Sequence, residues 1–282
     1  MWLISSSVGR KFVMALTGAC LVLFLTFHAL MNGVAIFSPA GYNAVCAFLG
    51  ANWYALVASA GLAALFAIHI IYAVWLTLQN RKARGNSRYA VTSKPPQVEW
   101  ASQNMLVLGI VILAFLAIHM IQFWAKMQLA EVIGNHEPDP QNGMYFINVA
   151  FSQWYTPVIY VIGFVALWFH MNHGFWSMFQ SCGWNNGIWL SRLKKISAWW
   201  TSIVVLLFLA EAVVFTVNAH NGNYDSCPIV NGVECVEIEC CDGEAVAVEE
   251  TVVAPVCGQD CDTPCEQPCE MAECDHACQE AK

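Results

Sequence analysis

Five apolar runs, each long enough to cross the hydrocarbon core of a bilayer, govern what this chain can fold into. A spanning helix needs about 20 consecutive, mostly apolar residues. The runs fall at roughly 12–37, 53–79, 103–128, 154–180 and 197–218. Polar or Gly/Pro-rich sequence separates them, as at Ser38-Pro39-Ala40-Gly41 and Glu137-Pro138-Asp139-Pro140. Lipid offers no partner to the free N–H and C=O groups of a strand edge, so the runs are expected to be helices. Composition agrees: 58% of the residues are hydrophobic and 11% charged, whereas a soluble domain carries about 25% charged residues. Trp53, Tyr54, Trp100, Trp124, Trp154, Tyr155, Trp199 and Trp200 gather near the ends of the runs, as an interfacial belt would. The first run follows Arg10 and Lys11, yet it exceeds the apolar core of a signal peptide, about 7–15 residues, and is read as a retained span. The expected fold is an all-α membrane protein, a bundle of five transmembrane helices.

The net charge of −8 conceals an asymmetry. Fifteen of the 20 acidic residues follow His220, whereas 11 of the 12 basic residues precede it. Two units are therefore expected: an apolar, mildly basic body (1–220) and an acidic, cysteine-rich tail (221–282). Arg10 and Lys11 precede the first run, and Arg81, Lys82, Arg84, Arg88 and Lys94 lie between the second and third. Arg192, Lys194 and Lys195 lie between the fourth and fifth, while the other two connections hold only Lys126, at the end of the third run. The positive-inside rule then places the N-terminus in the cytoplasm and the tail outside. No clustered basic face of the kind that binds nucleic acid is present.

Four of the runs carry one deep histidine each: His28, His69, His119 and His170. An ionisable group inside a membrane is costly and points to function, with a partner to be named. Counted from the cytoplasmic ends, His28 and His119 lie about 16 residues deep, and His69 and His170 about 10 residues deep, with boundaries soft by roughly 2–4 residues. They form two level pairs, offset by roughly 6 residues or about 9 Å at 1.5 Å per residue. A b-type haem has no covalent tether and is held through axial ligands to its iron. Two imidazoles on facing helices would sandwich it and leave no open position for O₂, which suits electron transfer. No C-x-x-C-H run supports covalent c-type attachment. The plainer alternative, a histidine bonded to a neighbouring helix, suits one such residue better than four at matched depths.

Gly18, Gly61, Gly109 and Gly174 lie within ten residues of these histidines; they suit either haem accommodation or ordinary helix packing. His173, one turn beyond His170, is an alternative ligand, or a partner for a propionate or a quinone head group. His136, His220 and His276 read as surface residues, and Cys20, Cys46 and Cys182 as packing residues.

The run Ser6-Ser7-Val8-Gly9-Arg10-Lys11-Phe12-Val13-Met14-Ala15-Leu16-Thr17-Gly18, ending in Phe27-His28, resembles the cytochrome b subunit of succinate dehydrogenase and fumarate reductase. The resemblance is to the five-helix, dihaem b558 type of bacterial complexes. It continues through Gly50-Ala51-Asn52-Trp53-Tyr54-Ala55-Leu56-Val57, Gln79-Asn80-Arg81-Lys82-Ala83-Arg84-Gly85, Val98-Glu99-Trp100-Ala101-Ser102 and His170-Met171-Asn172-His173-Gly174-Phe175-Trp176-Ser177, and covers about residues 5–218. It implies the ligand pairing that depth suggests: His28 with His119 on an outer haem b, and His69 with His170 on an inner one. It also implies a flavoprotein subunit carrying FAD and an iron–sulfur subunit with its clusters, both docked on the cytoplasmic face of the bacterial inner membrane. Those partners would interconvert succinate and fumarate, while this chain passes electrons to or from a membrane quinone, with menaquinone expected. A dimer of the complex is left open. The chain has no G-x-G-x-x-G fingerprint for a dinucleotide, so the succinate chemistry would belong to partners.

The tail departs from the family pattern. It holds ten of the 13 cysteines, including a C-x₃-C repeat from Cys257 to Cys269. An outside location favours a disulfide-braced or disordered tail over a metal site, because the spacing lacks the usual zinc-finger grammar. For quinone chemistry two acids stand out: Glu131, just beyond the third run, and Glu211, inside the fifth. Either could accept a proton released by quinol oxidation. Competing readings are a haem-free structural anchor, a haem or metal transporter, and a dihaem anchor serving a hydrogenase or formate dehydrogenase.

Overall fold

A computed structural model of the chain describes residues 6–50, 52–84, 99–184 and 186–222. The chain divides into a compact unit, Met1–Pro228, and a second, Ile229–Lys282. The cysteine-rich tail, with the disulfides or disorder expected of it, lies outside the described residues, as do Arg88 and Lys94.

Every described element is helical. In chain order they are α1 (Ser7–Phe37), α2 (Pro39–Gly50), α3 (Trp53–Arg84), α4 (Trp100–His119), a π-helical turn (Met120–Trp124), α5 (Gln128–Ile133), α6 (Gly143–Phe151), α7 (Tyr155–Ser181) and α8 (Gly187–His220). Among the described residues, five stretches are long and apolar enough to cross a membrane: Ser7–Phe37, Trp53–Ala83, Trp100–Trp124, Tyr155–Ser181 and Gly187–His220. These are the five expected runs, with some ends moved.

The start of α8 moved furthest, to Gly187 rather than 197. Asn186 caps it, its side chain accepting from Trp189 N at 2.9 Å. The basic run that hydropathy counted as a connection is thus helical. Its long side chains find partners without leaving the helix: Arg192 lies over the Trp189 ring, and Lys194 lies over Trp176 and donates to Glu99. Lys and Arg can bury their stems this way while the charged head reaches polar surroundings.

The two connections expected outside the membrane contain helices that hydropathy could not register, because each is too short to span. Pro39 begins α2, where a missing N–H costs nothing, and Ser38 Oγ accepts from Gly41 N at 3.0 Å. Asn142 caps α6 through Tyr145 N at 3.1 Å, and Asn43 Oδ1 accepts from Met144 N at 3.0 Å, tying α2 to α6. Gly143 is required at that junction. A Cβ there would overlap Cys46 Sγ and the Tyr42 ring.

The core lies where α7 and α8 meet, filled by Tyr160, Phe164, Leu167 and Met171 of α7 and Val204, Val205, Phe208, Ala212 and Phe215 of α8. Buried Ala29 and Ala35 of α1 join it; such small residues let helix backbones approach closely in lipid. Helix α4 runs antiparallel to α7: Gly109 faces His170, Phe115 packs on Gly163, and His119 meets Tyr160. Helix α3 is held chiefly against α1, and of its described residues Ala55 alone is buried. Cys182 is exposed, contrary to its expected packing role, because α7 ends at Ser181 and the turn beyond carries it outward.

Candidate functional site: two facing histidine pairs

The bundle brings the four deep histidines together in twos. The His28 and His119 rings lie 5.8 Å apart between centroids, with planes at 90°. The His69 and His170 rings lie 6.3 Å apart, with planes at 63°. These are the pairs that depth alone had matched.

The spacing has chemical meaning. An imidazole nitrogen sits about 1.1 Å from its ring centroid, and first-row metal–nitrogen bonds run about 2.0–2.1 Å. Two imidazoles facing one ion therefore place their centroids about 6.2–6.4 Å apart. A direct N–H···N hydrogen bond would draw them to about 5 Å. The centroid separation of the inner pair equals that value, and that of the outer pair is a few tenths of an ångström shorter. In such a sandwich each ring plane contains its own metal–nitrogen bond, so the angle between the two planes is free.

Two of the four glycines contribute, and each serves the other pair. A Cβ at Gly18, on the helix of His28, would sit 3.7 Å from His69 Cε1. One at Gly109, on the helix of His119, would sit 3.8 Å from His170 Cε1. Ten residues separate each glycine from the histidine on its own helix, about 15 Å along the axis at 1.5 Å per residue. The two pairs are thus stacked along the bundle. Gly61 and Gly174 face open space.

The outer pair is lined by aromatics. Phe24 stacks on His28 at 5.4 Å, Phe208 lies 6.0 Å from it, and Phe115 and Phe123 flank His119 at 5.9 and 5.2 Å. His119 Nδ1 lies 3.1 Å from the Tyr160 hydroxyl, which donates to Gln122 Oε1 at 3.0 Å. Gln122 in turn donates to buried Thr156 at 3.1 Å. In the inner pair, His69 Nδ1 lies 3.2 Å from Thr17 Oγ1, and buried His170 Nδ1 has no hydrogen-bond partner among the described residues.

The remaining candidates are dispersed. His173 does not join the inner pair. Its Nδ1 lies 3.3 Å from Glu99 Oε2, and Lys194 donates to the other Glu99 oxygen at 2.6 Å. Burial alone would raise the Glu99 carboxyl, but the hydrogen bonds from Lys194 and His173, with their charge, hold it below its ordinary value. Glu131 sits in α5 with His136 Nδ1 at 3.8 Å. It borders a cavity of about 170 Å³ also lined by His28, Asn32, Tyr42, Cys46 and Gln128. Burial pushes the Cys46 thiol up to about 11, against a lowering hydrogen bond from Tyr42, so no thiolate nucleophile is on offer there. Glu211 is buried in α8, faces Gly33 of α1, and among the described residues leaves Oε1 without a hydrogen-bond partner. His136 and His220 are exposed, as surface residues should be.

Comparison of the chain with protein-family models, with curated proteins and with solved structures finds no match.

The sequence gives Thr17, Glu99 and Lys194 no role at the histidines, and does not mark Tyr160 or Gln122 at all. Spacing held a faint signal, since Thr17 and Tyr160 lie 11 and 10 residues before His28 and His170, near three helical turns of 3.6 residues. Pairing each with the histidine of a different helix required the packing.

Proposed function

We propose that this chain is the dihaem cytochrome b membrane-anchor subunit of a succinate:quinone oxidoreductase in a bacterial cytoplasmic membrane. The observation that carries the reading is the presence of two facing imidazole pairs at the spacing of a shared ion. Among the described residues, no group of three His, Cys, Asp or Glu side chains converges on a point that could hold a metal ion. A bare zinc-like ion takes about four ligands, whereas a porphyrin brings four nitrogens of its own and asks the protein for axial ligands only. His28 and His119 would hold the outer haem b, and His69 and His170 the inner one. When bound, such a haem would supply reversible one-electron transfer.

The chain's own residues orient the imidazoles, and Phe24, Phe115, Phe123 and Phe208 pack aromatic rings against the outer pair. The cavity between His28 and Glu131 suits a quinone head group, with the Gln128 amide to bond a carbonyl and the Glu131 carboxylate to take a proton from quinol. Glu211 is the second proton-acceptor candidate, and His173 keeps one ring nitrogen for a propionate or quinone oxygen. Partners with FAD and iron–sulfur clusters would dock on the cytoplasmic face, where the basic helix ends lie, and carry the succinate chemistry. The tail would lie outside.

The test is a dithionite-reduced minus oxidised spectrum of the purified protein, with haem counted per polypeptide. Two b haems are expected, with His28→Ala or His119→Ala losing one and His69→Ala or His170→Ala the other. Glu131→Gln or Glu211→Gln should keep both haems and slow quinol turnover; unchanged turnover removes that residue from the proton path. Co-purification of a flavoprotein and an iron–sulfur protein distinguishes this assignment from a hydrogenase or formate dehydrogenase anchor. A flat spectrum from folded protein defeats the electron-transfer reading.

A further inference from the structure

We propose that Tyr160 and Thr17 are positioning residues that set the tautomer and basicity of one imidazole in each pair, and so tune the two haem potentials independently. The inference rests on the dihaem reading and adds to it which side chains act on which haem.

The argument is a count of hydrogens. A phenol has a single O–H, and that of Tyr160 is donated to Gln122 Oε1. Toward His119 Nδ1 the same oxygen can therefore only accept, so the His119 proton resides on Nδ1. The lone pair is then left on Nε2. Thr17 is engaged in the same way. Its hydroxyl hydrogen is directed to the Val13 and Met14 carbonyls at 3.0 and 3.1 Å, so its oxygen accepts from His69 Nδ1 and leaves Nε2 of that ring bare. Among the described residues, buried His170 Nδ1 has no such partner. The inner pair thus joins one anchored ring to one unanchored ring.

The anchors are crossed. Thr17, which holds the inner ligand His69, lies on α1 with the outer ligand His28. Tyr160, which holds the outer ligand His119, lies on α7 with the inner ligand His170. The π-turn that follows His119 places Gln122 on the same tyrosine as His119 itself; such turns often occur at functional sites. An acceptor on Nδ1–H fixes ring orientation and makes the metal-facing nitrogen a stronger donor. A stronger donor stabilises the oxidised iron and lowers the potential.

The test is potentiometric titration at fixed pH of the haem-loaded complex in membranes, followed optically and by low-spin EPR. His28→Ala and His69→Ala first assign each midpoint to the outer or inner haem by its disappearance. Tyr160→Phe is expected to raise the outer midpoint and leave the inner one unmoved. Thr17→Val is expected to raise the inner midpoint alone, and Thr17→Ser, which keeps the hydroxyl, to restore it. Should Tyr160→Phe not accumulate, Gln122→Leu probes the same link by releasing the phenol hydrogen, and a change confined to the outer haem is expected. Two bound haems with midpoints and EPR signals unmoved in these variants would overturn the inference and leave the dihaem reading standing. A wild-type chain that binds no haem would end both.

Discussion

Gly163 illustrates how little freedom the outer site has at the residue scale. A Cβ there would fall 2.6 Å from Cγ and 2.8 Å from Cδ2 of Phe115. Phe115 has nowhere to retreat, because it lies edge-on to Tyr160 at 5.0 Å and tilts against His119 at 5.9 Å. Overpacking of this kind costs about 1–3 kcal/mol. Gly163→Ala should therefore lower thermal stability by about that amount and disturb the outer pair before the inner one. Thermal unfolding checks the stability and, on the dihaem proposal, haem counted per chain checks the site; equal loss of the two proposed haems would mean that the strain spreads through the bundle. The four histidines were legible in the sequence because a buried ionisable group is conspicuous in an apolar run. Their hydroxyl partners were not, because Thr and Tyr are unremarkable in a membrane helix until a ring is found beside them.

At the scale of elements, neighbouring ends of α4, α7 and α8 are fastened by one carboxylate. Glu99, the N-cap residue of α4, faces His173 of α7 and Lys194 of α8, and Lys194 also covers Trp176 of α7. The Glu99 carboxyl is held below its ordinary 4.5 despite burial, by hydrogen bonds and charge from Lys194 and His173. A carboxyl so depressed contributes stability above its unfolded-state value and loses it as pH falls through its folded value. Glu99→Gln should thus lower the unfolding temperature at pH 7, and the gap to wild type should close below about pH 4. Added salt should narrow it too, since the pair is partly exposed. A gap that persists in acid would assign the effect to packing rather than charge. Hydropathy missed this fastening because it scored Lys194 as part of a connection, whereas the folded α8 carries it as a helical residue.

For the whole molecule, five spans form an odd number, so the two ends of the body belong on opposite sides of a bilayer. The basic residues Arg10, Lys11, Arg81, Lys82, Arg192, Lys194 and Lys195 all lie near one set of helix ends. A reporter active only outside the cytoplasm should work when fused after His220 and stay silent when fused ahead of Ser7; the reverse pattern would invert the topology. This much needs no tertiary contact. Length, apolarity and the need to satisfy every backbone group within a segment determine that the runs are helices and where they lie. Matched depth, a one-dimensional quantity, already groups the histidines into twos. Rotation of each helix about its axis is a different matter, because side chains all round a lipid-facing helix are apolar and carry little phase information. Packing sets that rotation: Gly163 under Phe115, Gly18 beside His69, Gly109 beside His170. Only the folded bundle therefore decided that Tyr160 meets His119, that Thr17 meets His69, and that His173 turns to Glu99.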